Sequence, residues 1–432
     1  MKRALINGII LDGNKNMKPL KGKAIVIEDT NIVDIIEQST LPADLEVVDL
    51  QGQYIMPGLI NLHVHLPAGG KPKKKASDPK KLVKLMTSNR LLRSIMIRLC
   101  EGYAKTELMS GVTTIRTVGG VENVDSDIRD RIAKGKIIGP RILASNMAIS
   151  VSGGHMAGSL AYIARSAKEA RSLVKRIAKD HPNLLKLMIT GGVLDAKKRG
   201  EPGELKMPAE MVKAACEEAH ALGLKVAAHT ESSEGVEVAL RNGVDTIEHG
   251  AHPTAEIMNL FQQRHASLVA TLSPALPYAL FDRAISHASE LEQYNGKVVF
   301  EGIIKCVKAC LESGIPVGLG TDTGCPYVTH YNMWRELLYF CEYCGVSAQF
   351  ALYTATKQNA EIAGIADQCG TIEAGKCADM IVTRNNPLAD LQTLRHVSMV
   401  IANGKIIKNP KVKKMPQVEK ELDHFLPHSI HS

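Results

Sequence analysis

The chain has 432 residues, enough for one large domain and a smaller one, and its 45 % hydrophobic and 23 % charged content is that of an ordinary soluble globular protein. Aromatic residues make up only 4 %, with a single tryptophan (Trp334), which argues against a base-stacking surface, and no nucleic-acid motif accompanies the net charge of +8. Nine cysteines, an odd number without zinc-ribbon or disulfide spacing, fit reduced thiols in the cytosol.

The N-terminal "MKRALINGIILDGNK" begins basic and turns apolar, but Asn7, Gly8 and Asp12 interrupt it, so it does not read as a signal peptide. With no apolar run of about eighteen residues anywhere, a cytoplasmic protein without membrane contacts is expected. Residues 1–57 carry short strand patterns ("ALINGIIL", "GKAIVIED", "NIVDIIE", "LEVVDLQGQYIMPG") separated by turn residues.

From residue 58 to 365 apolar strands alternate with helical periods. Eight strands are predicted: "LINLHVHL", "GVTTIRTV", "GPRILASN", "LLKLMITGG", "KVAAHT", "DTIEHG", "SLVATLSP" and "PVGLGTDTG". Helices such as "MPAEMVKAACEEAHALG" and "SEGVEVALRNG" lie between them. The pattern and the length, at or above the roughly 250 residues typical of the fold, predict an α/β protein with a (β/α)₈ TIM barrel. An open doubly wound sheet alternates in the same way, but no G-x-G-x-x-G follows the first strand, so a dinucleotide site is unsupported.

The basic stretch "KPKKKASDPKKLVK" (71–84) is expected to be a solvated loop leading into a helix, not a partner site. Cys341 and Cys344 form a C-x-x-C inside a helical pattern, a weak redox signal. Beyond 365, "GTIEAGKCADMIVT" and "VSMVIANGKIIK" return to strand character. Residues 1–57 and 366–432 are therefore expected to meet in one small β-sandwich.

Polar residues with ligand chemistry stand at the predicted strand ends. His63 and His65 end the first strand, His229 the fifth, His249 the sixth and Asp322 the eighth, while Lys186 lies within the fourth. In a barrel the active residues come from the C-terminal ends of several strands. Residues i and i+2 of a strand share a face, so H-x-H presents two imidazoles side by side. A lone H-x-H is a weak signal; six such residues on five strands make a strong one. Imidazole and carboxylate suit zinc, manganese, iron or cobalt.

Lys186 is the anomaly, because a lysine in an apolar strand is rarely buried without a partner. Its bland readings are a misplaced strand boundary or a stem that reaches the strand end. An ammonium has no lone pair and would repel cations. If carbon dioxide adds to the neutral amine, the resulting carbamate is an anion with two oxygens able to bridge two metals, and desolvation with nearby cations favours the deprotonated amine it needs.

At this point the chain resembles the amidohydrolase superfamily over nearly its whole length. "GQYIMPGLINLHVH", "GVTTIRTVGG", "GPRILAS", "SGGHMAG", "LLKLMITGGV", "VAAHT", "DTIEHG", "GLGTDTG", "GTIEAGKCADMIV" and "VIANGKIIK" follow in the family's order. Within it the resemblance is to imidazolonepropionase-like members that include Xaa-Pro dipeptidases, Lys/Arg carboxypeptidases and ochratoxin-type amidases. It implies two divalent metal ions, zinc above all. His63, His65 and Asp322 would hold the more buried ion, His229 and His249 the more exposed one, and carboxylated Lys186 would join them. A metal-bridging hydroxide would attack the substrate carbonyl, with Asp322 as base and then acid.

His155 matches a family position near the substrate, and His330 is a further substrate-binding candidate. His220, His265 and His287 are expected at the surface. The resemblance also implies a homo-oligomer acting on a small molecule.

Two positions depart from the family pattern: Asn61 stands where aspartate is common, and "HTESSEG" replaces a small "HAHG"-type turn. Glu231 there either faces in, repelling an anionic substrate terminus or binding a cationic group, or faces out and caps the next helix. The expected activity is cleavage of an amide bond in a dipeptide or N-acyl amino acid. The alternatives are a one-metal cyclic-amide hydrolase or deaminase, a lactonase or phosphotriesterase, and an inactive scaffold, which has no reason to retain six ligands.

Overall fold

The computed structural model describes residues 2–72 and 78–426. The central part of the lysine-rich stretch, 73–77, lies outside the described residues. The chain divides into two compact units: Met1–Asn61 with Ala104–Ile115 and His330–Ser432, and Leu62–Tyr103 with Arg116–Thr329.

The N-terminal segment forms β1 (Lys2–Ile6), β2 (Ile9–Ile10), β3 (Lys23–Glu28), β4 (Asn31–Glu37), β5 (Glu46–Asp49) and β6 (Tyr54–Pro57). The middle supplies β7 (Leu59–Val64), β8 (Val112–Thr117), β9 (Arg141–Leu143), β10 (Ala148–Val151), β11 (Ala161–Ala164), β12 (Leu184–Met188), β13 (Lys225–Thr230), β14 (Thr246–His249), β15 (Ser267–Ala270) and β16 (Val317–Leu319). The C-terminal part adds β17 (Met380–Thr383), β18 (Met399–Ala402) and β19 (Lys405–Lys408).

In the first unit, one sheet runs β4-β3-β1-β5 and a second runs β19-β18-β17-β6-β2, so strands from both ends of the chain share a sheet. Their facing side chains, among them Leu5, Ile25, Ile27, Ile55, Met380, Val382 and Ile401, form one buried cluster. That is the interleaving of two apolar faces that a β-sandwich requires.

In the second unit a seven-stranded sheet runs β11-β10-β12-β13-β14-β15-β16, with parallel pairing throughout. A separate three-stranded sheet runs β7-β8-β9. Strands β7, β12, β14 and β15 are buried at every position, as expected of strands covered on both faces. Two hydrogen bonds tie β7 to the segment after β16: Asp322 N–H donates to His63 O at 2.8 Å, and His65 N–H to Thr323 O at 3.2 Å.

The expected third strand is shorter than predicted, ending at Leu143, and the sequence reading missed β10 and β11. These four-residue strands flank the Gly-rich "SGGHMAG", whose turn signals hid the pairing. Among the described residues no helix is long and apolar enough to cross a membrane.

Candidate metal centre

His63 lies on β7 and His65 just past it, Lys186 on β12, His229 on β13, His249 at the end of β14, and Asp322 three residues past β16. All belong to the second unit, and all are buried. Their rings form a chain: His65 to His63 at 5.3 Å between centroids, His63 to His249 at 4.8 Å, and His249 to His229 at 4.7 Å. One potential ligand atom each from His63, His249 and Asp322 gather within 4.8 Å of one another. Asp322 Oδ1 lies 3.5 Å from His63 Nε2 and 3.2 Å from His65 Nε2.

Hydrogen bonds on the far side fix the rings. His63 Nδ1 lies 2.7 Å from Glu248 Oε2, His65 Nδ1 2.8 Å from the Gly119 carbonyl, and His249 Nδ1 2.7 Å from Thr271 Oγ1. Each contact leaves Nε2 to face inward, the arrangement that orients histidine ligands. Glu248 is itself clamped: Arg116 donates to its Oε1 at 2.6 Å and Thr246 Oγ1 at 2.8 Å. His229 differs, since its Nε2 lies 3.1 Å from the Gly191 carbonyl.

Backbone geometry singles out two of these residues. His249 has φ 69° and Asp322 φ 57°, the left-handed region that non-glycine residues seldom occupy and that clusters at functional sites.

The electrostatics suit cation binding. Burial holds the imidazoles of His63, His229 and His249 well below their usual range, and the charge of Lys186 adds to this in each case. They are neutral at pH 7, with a lone pair to give. Burial raises the Asp322 carboxyl, but His63, His65 and Lys186 outweigh it and keep it ionised. Lys186, with no solvent exposure, is pushed by burial down to about 8 against the pull of Glu248. Among the described residues its Nζ has no hydrogen-bond partner. Both bland readings of Lys186 therefore fail: it is within the strand, and its ammonium does not reach water.

His155 stacks on His229, with centroids 4.2 Å apart and planes 2° from parallel. Its Nδ1 meets Asp195 Oδ2 at 2.6 Å. Glu231 faces in: it offers a carboxylate oxygen within 4.8 Å of ligand atoms on His229 and His249. Burial pushes its carboxyl up to about 8, with Asp322 and Asp195 adding to the rise. The outward alternative is corrected, because the next helix is capped by Ser232, whose side chain accepts from Gly235 N–H.

His330 lies in the first unit, buried, with Nδ1 3.0 Å from Glu107 Oε1. His220, His265 and His287 are exposed. The sequence reading missed Glu248, Arg116, Thr271 and Asp195. Of these Glu248, inside "TIEH", and Arg116, inside "VTTIRT", carried the same kind of signal as Lys186, a charged residue within a buried strand.

The pattern of the amidohydrolase family matches residues 54–407, and that of the NagA composite domain residues 3–55. A solved candidate prolidase from Bifidobacterium longum is 35 % identical, with 98 % of each chain covered and a TM-score of 0.86. The structure of a Xaa-Pro dipeptidase with bound methionine in its active site is 29 % identical, covering 94 % of this chain and all of the other, with a TM-score of 0.83. The ochratoxinase of Aspergillus niger is 24 % identical over 94 % of this chain and 86 % of its own. A 5-methylthioadenosine/S-adenosylhomocysteine deaminase of Bacillus cytotoxicus is also 24 % identical, over 94 % of each. The family pattern spans most of the chain and takes in every strand that carries a residue of the buried cluster: the chain belongs to the amidohydrolase family.

Proposed function

We propose that the protein cleaves an amide bond of a dipeptide or N-acyl amino acid at a centre of two divalent ions, with zinc the first choice. That it is a hydrolase of carbon–nitrogen bonds follows from the family and its prolidase and ochratoxinase relatives. His63, His65 and Asp322 would hold one ion, His229 and His249 the other, and Lys186, carboxylated by carbon dioxide, would join them. The residues present fit such a centre: neutral imidazoles with oriented nitrogens, an ionised carboxylate, and an amine that burial inclines to the neutral form. When bound, the ions supply Lewis acidity, polarising a carbonyl and making water a competent nucleophile near neutral pH.

The chain's own residues do the rest. Asp322, ionised and beside the Nε2 atoms of His63 and His65, would take a proton from water and give it to the leaving amine. His155, stacked on His229 and held by Asp195, would bind the substrate carbonyl or carboxylate. The buried His330–Glu107 pair makes His330 the weaker substrate-binding candidate. We further propose that the seven-stranded and three-stranded sheets are arcs of one (β/α)₈ barrel over 58–365, with 1–57 and 366–432 as the sandwich. The bonds between β7 and the segment after β16 support this closure. A cytoplasmic homo-oligomer completes the reading, the nine free cysteines supporting a reducing compartment.

The observation that carries the proposal is the fully buried Nζ of Lys186, without a hydrogen-bond partner among the described residues, whose charge acts on His63, His229, His249 and Asp322 together. The test is hydrolysis of a dipeptide and N-acyl amino acid panel by zinc-loaded protein, with Asp322→Asn as control. Turnover that falls about 10³-fold or more in the variant is expected. No turnover of any amide, with deamination of an aminopurine nucleoside instead, would favour the one-metal alternative to which the deaminase relative points.

A further inference from the structure

The ligand set leaves one group at the centre without a task. Glu231 stands two residues past His229, just beyond the end of β13. Its carboxylate offers an oxygen within 4.8 Å of ligand atoms on both His229 and His249. The side chain is held rather than free to swing. Glu231 N–H donates to Thr190 Oγ1 at 3.1 Å, and Val193 N–H donates to Glu231 Oε2 at 3.1 Å. Gly203 packs against the same backbone so closely that a Cβ there would lie 2.3 Å from the Glu231 carbonyl carbon.

Among the described residues, Oε1 accepts no hydrogen bond and no lysine or arginine pairs with the carboxylate. Its charged neighbours, Asp322 and Asp195, are anions. A carboxylate positioned beside two neutral imidazoles, lacking a cation of its own, is the donor set of a divalent metal.

We propose that Glu231 is a further protein ligand of the ion held by His229 and His249, beside the two imidazoles and the carboxylated Lys186. This rests on the two-metal reading and extends it. The added carboxylate lowers the charge of the loaded centre by one, so an anionic substrate group close to the scissile bond gains less attraction, and neutral or cationic groups are favoured there.

The test compares zinc binding by the full chain, prepared with bicarbonate, with that of Glu231→Gln and Glu231→Ala, using elemental analysis and competition with a chelator. Wild type is expected to hold two ions. Each variant should keep one tightly and bind the second at least about tenfold more weakly. Retention of the tight ion and of the thermal midpoint measured after chelation shows that the variants fold, and the isosteric glutamine guards against a packing effect. Variants holding both ions with wild-type affinity would overturn the assignment and leave the two-metal reading standing. A wild type holding a single ion would sink the two-metal reading itself. Glu231 would then remain a ligand only if its variants lost that ion, and retention would overturn the assignment too.

Discussion

The orientation of His63 rests on Glu248, which sits on β14 next to His249, is bonded to Arg116 and Thr246, and has no exposure. Glu248→Gln keeps the volume but alters the partner of Nδ1. A 10–100-fold loss of metal affinity is expected, the usual cost of removing such a support. Unchanged zinc affinity in a chelator competition would contradict this role.

Glu107 gives a prediction of another kind. Burial raises its carboxyl above the usual range despite the contacts with His330 and Asn61. A carboxyl raised on folding contributes stability that is fully present below its unfolded pKa and is lost as pH rises through the folded one. Glu107→Gln should therefore gain relative to wild type as pH rises from about 4 towards neutrality. A stability difference that stays flat over that range in urea titrations would refute it.

At this scale the cluster residues that lie within strands, His63, Lys186, His229 and His249, were legible because each put a polar residue where a parallel strand needs an apolar one. Glu248 broke the same pattern but sits beside His249, and one odd residue masked the other. The direction of Glu231 depends on which residue caps the next helix, and "TESSE" offers several candidates.

Among the elements, β7 and the segment after β16 pack closely at Gly320. A Cβ there would lie 2.4 Å from His63 Cβ and 2.6 Å from His63 N. Gly320→Ala has no room without moving the strand that carries the H-x-H pair. It should cost about 1–3 kcal/mol of stability, and metal should be lost with it. A variant with wild-type midpoint and metal content would show that the strand gives way freely.

In the first unit Arg335, fully buried, reaches Glu419 and Asp423 on the C-terminal helix Pro416–Asp423. Arg335→Met leaves Glu419 with Arg395 as its remaining cation and should cost about 3 kcal/mol in denaturant unfolding. A change near zero would make the pair dispensable. That helix was not anticipated, since "PQVEKELD" has too few apolar positions to announce a face, and its charges pair with residues distant in sequence. The long periodic helices and the strongly apolar strands were legible. The two four-residue strands beside "SGGHMAG" were not, because pairing with β12 and with each other, not their own period, makes them strands.

Over the whole molecule the buried cluster joins residues from strands far apart in the chain, so an ion held at the proposed centre would couple its binding to folding. A ligand that binds only the folded state adds about 2.7 kcal/mol at a hundred times its Kd. Chelation should thus lower the thermal midpoint, and zinc with bicarbonate should restore it.

The two-metal centre depends on Lys186, and the most direct measurement is metal content by elemental analysis of protein prepared with zinc and bicarbonate, beside Lys186→Ala. About two ions per chain, falling to one or none in the variant, is the predicted result. One ion in both would mean that Lys186 is no bridge and would contradict the two-metal centre.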